Sequence, residues 1–165
     1  MFYSFLYKSV PGILIIKIRD GKLVYCKWSD KINDASPCQH DEDSDKVNTG
    51  LAKLVCTQLD EYFRGERRHF SIPIESEGTY FQKKVWEEMT KIPYGETVSY
   101  GELAANIGNP RAVRAVANAC GANPLPILVP CHRVIAANGK IGGYTGGLDK
   151  KVFLLKLESH SLDNK

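Results

Sequence analysis

Two runs rich in β-branched and aromatic residues open the chain, Ile13 to Ile18 and Lys22 to Trp28. They are joined at Asp20-Gly21, a pair suited to a tight hairpin turn. A β-meander is expected there. Further on, Leu51, Leu54, Val55, Leu59, Tyr62 and Phe63 recur with a 3.6-residue period, and Gly65 supplies a stop, which predicts an amphipathic helix. Between these patterns, residues 30–48 collect Asp30, Asp34, Pro37, Asp41, Glu42, Asp43 and Asp45 without apolar periodicity and read as an exposed loop. Phe70 to Ile74 offers a short strand that Pro73 confines to an edge.

From here the pattern turns helical. Phe81, Val85, Met89 and Ile92 form one stripe ended by Pro93 and Gly95. Ser99 and Glu102 are spaced as a capping box and begin a helix through Leu103, Ala104, Ala105 and Ile107. Gly108-Asn109-Pro110 then provides a stop, a new cap and a proline at a first helical position. A second helix is expected over about Pro110 to Cys120, with Gly121 as its stop. This is helix-turn-helix spacing. On that helix Arg111 and Arg114 would share a face suited to phosphates or bases, and Ala112, Ala115, Ala117 and Ala119 would let the backbone approach a surface closely. Ordinary packing of an alanine-rich hairpin leaves the same pattern. Asp149 caps a last helix with Phe153, Leu154 and Leu157 on its apolar face and Glu158 near its end. The expected class is therefore α+β: a strand-rich N-terminal α/β domain, residues 1–78, then a mostly helical C-terminal domain with a helix-turn-helix, residues 79–165.

Composition narrows the setting. The chain has 165 residues, 43% of them hydrophobic, enough for a core in one domain or two small ones. Lys8, Pro11, Gly12 and Lys17 break the apolar opening, well short of the roughly 18 residues of a membrane span, so a soluble protein without a membrane partner is expected. Five cysteines without a CxxC pair argue against a disulfide framework and for a reducing, cytoplasmic setting, or a nuclear one in a eukaryote. Cys26, Cys38, His40 and His69 are of ligand type but form no compact pair beyond Cys38-Gln39-His40, so no structural zinc is expected. Net charge is +3. The half from residue 79 onward carries 11 Lys and Arg against 7 Asp and Glu, as a polyanion-binding surface requires and a merely solvated surface permits.

Chemistry concentrates at Val129-Pro130-Cys131-His132-Arg133-Val134. Cys131 is a candidate nucleophile, His132 a base, and Arg133 a cation favouring thiolate over thiol. A buried, inert cysteine is the plain alternative. After Asn123-Pro124-Leu125-Pro126, which cannot be helical, Ile127 to Val129 is expected as a short buried strand leading into the cysteine. In an extended chain Cys131 and His132 would point apart, so a relay through water is expected. Glu158 is either a solvated carboxylate or the orienter of His132. Asn138-Gly139 signals a turn, and the glycine-rich stretch 142–147 lacks the spacing of a nucleotide cradle. Its glycines would let backbone pass a flat ligand, with Tyr144 and Thr145 offering stacking or hydrogen bonds.

Several of these segments together, Pro130 to Val134, Gly108 to Val116, Asn123 to Ile127 and Tyr144 to Leu148, make the chain resemble the O6-alkylguanine-DNA alkyltransferases. The similarity spans about Phe81 to Glu158. It implies a single-turnover, self-inactivating transfer of an alkyl group from O6-alkylguanine, and by extension O4-methylthymine, in double-stranded DNA to Cys131, without an organic cofactor. The base would be flipped out and the second helix would lie in the minor groove, with its small Ala115 fitting that space. Position by position, His132 is implied as a base acting through water, Glu158 as its orienter, Tyr100 as a donor to the leaving guanine, and Asn123 as the residue shaping the cysteine loop. Arg114 would take the place of the extruded base, Arg111 and Arg133 would belong to the DNA-binding set, and Thr145 would keep a hydroxyl contact to O6. A monomer without an obligatory protein partner is expected. Two other readings remain: a module that binds alkylated DNA without repairing it, and a cysteine hydrolase using the same residue types.

Overall fold

The computed structural model describes residues 2–30 and 42–163, which fall in two compact units, Met1–Ser76 and Glu77–Lys165. The class is mixed α+β, strands gathering in the first unit and helices in the second.

In the first unit, β1 (Tyr3–Lys8), β2 (Ile13–Arg19) and β3 (Lys22–Ser29) form an antiparallel meander in that order. The hairpin at Asp20-Gly21 is present. Both residues have positive φ, 50° and 70°, the conformation that matches a two-residue turn to the twist of its strands. Strand β1 was not anticipated, because Tyr3 to Lys8 mixes polar and aromatic residues without clean alternation. Alternation in β2 buries Leu14, Ile16 and Ile18 on one face. Helix α1 (Glu42–Phe63) covers sheet strands with Val55, Leu59 and Tyr62, all fully buried, and Gly65 follows it at φ 75°. The helix starts well before the predicted stripe. Residues 42–48, expected as loop, are helical. The remainder of that expected loop, residues 31–41, lies outside the described residues. The predicted strand over Phe70 to Ile74 reduces to one bridge, Leu23 with Ile74, because Pro73 has no N–H and can only accept, here from Leu23 N at 2.9 Å.

The second unit begins with α2 (Tyr80–Thr90), capped by Thr79 in a reciprocal box with Gln82. Its stripe buries Val85 and Met89 as predicted, and Trp86 with them, whose indole N–H donates to Ala119 O at 2.8 Å. A two-residue strand β4 (Val98–Ser99) leads into α3 (Tyr100–Asn106), where Ser99 and Glu102 form the predicted capping box. Gly108 at φ 79° ends that helix's run. The next helix, α4 (Val113–Gly121), starts three residues later than expected. Pro110 and Arg111 sit in a turn closed by Ala112 N to Asn109 O at 3.0 Å, and Gly121 is the last helical residue rather than the stop. Arg111 and Arg114 therefore do not share a helix face. Next, β5 (Val134–Ile135) pairs in parallel with β4, Val98 beside Val134 and Ser99 beside Ile135. Helix α5 (Leu148–Asp163) closes the unit, with Asp149 inside its first turn rather than before it.

Candidate active site

The segment before Cys131 is not the strand that its apolar residues predict. Ile127 adopts φ 77°, which no strand residue does, and Val129 N turns back to Leu125 O at 2.8 Å. Left-handed backbone at a β-branched residue costs on the order of 1–3 kcal/mol and persists only where its surroundings impose it. Asn123 is the imposing group. Its side-chain amide donates to Val129 O at 2.8 Å, while its carbonyl oxygen accepts from Leu125 N at 2.9 Å, so one buried side chain clamps both ends of the turn. Out of this loop the chain enters a single turn of 3₁₀ helix, Cys131–Arg133, closed by Arg133 N to Pro130 O at 3.0 Å. The backbone at Cys131 and His132 is thus turned, not extended.

His132 and Glu158 are both buried, and His132 Nε2 lies 2.7 Å from Glu158 Oε1. A carboxylate only accepts, so Nε2 carries the proton and Nδ1 keeps the lone pair of the neutral ring. Nδ1 has no hydrogen-bond partner among the described residues. Burial pushes the His132 pKa below its ordinary value, against the opposing pull of Glu158. Burial alone would raise the Glu158 pKa, but hydrogen bonds and charge from His132 and Arg133 outweigh it and hold the carboxyl well below the usual range. With His132 neutral, the charge responsible is that of Arg133. Its Nε and terminal nitrogen reach the two Glu158 oxygens at 2.9 and 3.0 Å, and its other terminal nitrogen donates to Ile92 O at 2.7 Å. Arg133 was expected among the DNA contacts; buried and wholly engaged inward, it cannot be one.

A cavity of about 440 Å³ opens beside Cys131, lined by Tyr100, Ala117, Asn118, Cys120, Gly121 and the loop residues Gly143, Tyr144 and Thr145. Two thiols line it. Burial pushes that of Cys120 up to about 12, so it stays protonated. Tyr100 is also raised, first by burial and then by the two cysteines near it, which keeps its hydroxyl a proton donor. Thr145 is exposed and its hydroxyl donates to Gly121 O at 2.8 Å, so in this state that proton is directed at α4 rather than into the cavity. Arg111, Arg114 and Ala115 are all exposed, the last two on the solvent side of α4 opposite Val116, Ala119 and Cys120.

Lys151 was missed in the sequence. It is fully buried and donates to Val134 O at 2.7 Å and Gly143 O at 3.1 Å. A signal was available: Lys151, Leu154 and Glu158 follow helical spacing, and all three are buried. Among the zinc-type residues, Cys26 is buried with its thiol pushed up to about 12, while Cys38 and His40 lie outside the described residues. No group of three metal-ligating side chains occurs among the described residues, and no helix there is long and apolar enough to cross a membrane.

Residues 80–160 match the family model described as the 6-O-methylguanine DNA methyltransferase DNA binding domain, and residues 1–76 match the ribonuclease-like domain of the same name. The methylated-DNA–protein-cysteine methyltransferase of Mycolicibacterium paratuberculosis is 56% identical over 155 residues, 92% of this chain and 91% of that one. The constitutive enzyme of that name from Bacillus subtilis is 43% identical over 157 residues, 93% of each chain. Among solved structures, the Mycobacterium tuberculosis O6-methylguanine methyltransferase superposes with a TM-score of 0.81 at 37% identity, covering 98% of this chain and 94% of that one. The M. tuberculosis OGT in complex with DNA gives 0.82 at 39% identity, covering 94% and 92%.

Proposed function

Because the chain belongs to the 6-O-methylguanine DNA methyltransferase family, a DNA-repair family that moves alkyl groups from DNA to a protein cysteine, we propose that Cys131 is its acceptor and residues 77–165 its reacting unit. The observation that carries this is the placing of Cys131 on the cavity wall, directly before a histidine whose tautomer is set by Glu158. His132 Nδ1 takes the thiol proton through water. The sulfur attacks the O6-alkyl carbon, a C–S bond forms, the C–O6 bond breaks, and its electron pair stays with the purine. Tyr100 supplies the proton that neutralises the leaving base, so the proton gained by the purine balances the one lost by sulfur. A thioether does not revert under mild conditions, which makes the protein a one-use acceptor.

Reaching the O6 atom requires the base to leave the stack, at a cost of a few kcal/mol. The exposed Arg114 and Ala115 on α4 suit a helix pressed into the minor groove, Arg114 filling the space of the extruded base. Arg111, in the turn before α4, suits a phosphate contact. Asn123 shapes the loop that presents the sulfur, and Tyr144 flanks the base. Residues 1–76 act as structural support, and the protein works as a monomer on duplex DNA. Incubation with duplex containing O6-methylguanine is expected to add one methyl mass to the peptide holding Cys131, and Cys131→Ser is expected to abolish it. Repeated turnover on an ester or amide would instead identify a hydrolase, and DNA binding without mass gain would identify a recognition module.

A further inference from the structure

The charge beside the sulfur needs a new owner. Arg133, adjacent in sequence, is neutralised by the Glu158 carboxylate at 2.9 and 3.0 Å. Lys151 differs. Its ammonium is fully buried and donates to two backbone carbonyls, Val134 O at 2.7 Å and Gly143 O at 3.1 Å, which satisfy hydrogens but carry no net charge. The nearby Asp149 is instead 3.8 Å from Lys150.

The titratable groups around the ammonium come from every neighbouring element. Tyr100 of α3 presents its ring centroid 5.9 Å away, and Cys120 of α4 and Cys131 of the 3₁₀ turn line the same cavity as Gly143, whose carbonyl the ammonium binds. His132 feels the Lys151 field, while Arg133 and Glu158 form a closed pair behind that histidine. Of the groups able to become anionic next to Lys151, Cys120 and Tyr100 are both held protonated by burial. That leaves Cys131 as the natural counter-charge. The two carbonyls matter as well, because Val134 follows the cysteine turn and Gly143 belongs to the glycine-rich cavity wall. One ammonium therefore ties the wall to the strand that directly follows the cysteine turn.

We propose that Lys151 is the positioning residue that holds Cys131 as a thiolate, its buried charge replacing the one that Arg133 gives to Glu158, while its hydrogen bonds keep Gly143 against β5. The proposal rests on the acceptor role of Cys131, and a DNA-free assay separates the two. Carbamidomethylation of Cys131 by iodoacetamide, followed by peptide mass spectrometry from pH 5 to 10, reads the thiolate without any need for base flipping. In wild type the reactivity midpoint is expected at least one pH unit below the ordinary thiol value of about 8.5. Lys151→Met is expected to move the midpoint up by a unit or more and to slow labelling about tenfold at pH 7, and Lys151→Arg is expected to restore most of it. Coinciding profiles for wild type and a folded Lys151→Met protein would overturn the proposal. Should that variant fail to fold, thiolate absorbance near 240 nm, taken as wild type minus Cys131→Ser, decides from the native chain: onset only at pH 8.5 or above overturns it. Absence of methyl transfer from DNA with a low labelling midpoint retained would instead count against the acceptor reading alone.

Discussion

Glu158 binds both charged or titratable side chains of the turn that carries the sulfur, and one of its oxygens also accepts from Gly95 N at 3.1 Å. It orients His132 with one hydrogen bond and neutralises Arg133 with two. A buried ion pair of this kind adds little net stability, because desolvation offsets attraction, yet removing one partner strands the other. Arg133→Met is accordingly expected to destabilise the protein by about 3–5 kcal/mol in urea denaturation, and adding Glu158→Gln to it is expected to recover much of that loss. Cys131 and His132 were legible in the sequence as neighbours, and the contact of Glu158 with His132 was legible as one of two alternatives. Arg133 was misread because proximity in sequence says nothing about which way a long side chain turns. Lys151 was overlooked for a related reason: a lysine and a glutamate on the inner face of α5 blunt the hydropathy contrast that would have marked that face as buried.

At the level of elements, the loop from Asn123 to Pro130 departs furthest from its sequence reading. Apolar runs are ambiguous when short, and the strand expected over Ile127 to Val129 is a turn with Ile127 at φ 77°. Hydrogen bonds from the buried Asn123 side chain within the loop, not strand preference, decide that shape. Asn123→Ala removes two buried hydrogen bonds and leaves Leu125 N without its acceptor, so a loss of about 2–3 kcal/mol is expected by thermal or urea unfolding. A greater relative loss in the methyl-transfer rate is expected in single-turnover assays, since the released turn no longer holds Cys131 at the cavity wall. Capping boxes were the dependable signals: Ser99 and Glu102 start α3 where their spacing placed it. Pro110 was a poorer guide, because a proline fits a turn as well as a first helical position, and α4 begins only at Val113.

For the whole molecule, the buried titratable groups set a stability optimum. His132 is held below its ordinary pKa, so the unfolded chain binds its proton first. The stability this group contributes is present above about pH 6.5 and is lost as pH falls toward its folded value. Glu158 adds a second acid loss in the same direction, beginning below about pH 4.3. Cys26 and Cys120 are pushed up to about 12, which reverses the sign: their contribution is complete below about pH 8.5 and is lost as pH rises toward 12. Unfolding free energy measured by urea titration is thus expected to peak between about pH 6.5 and 8.5 and to fall on both sides, with a slope of up to about 1.4 kcal/mol per pH unit for each such proton.

The short parallel ladder of β4 and β5 carries a mechanical corollary. Ser99 ends one rung and caps α3, while Val134 begins the other directly after Arg133, so the helix pair and the sulfur share a single mount. If Cys131 is the acceptor and α4 enters the groove, as proposed, a nucleophile so mounted has no reach of its own. The travelling falls to the nucleotide, and lesions that already weaken their own pairing are the ones that arrive most readily.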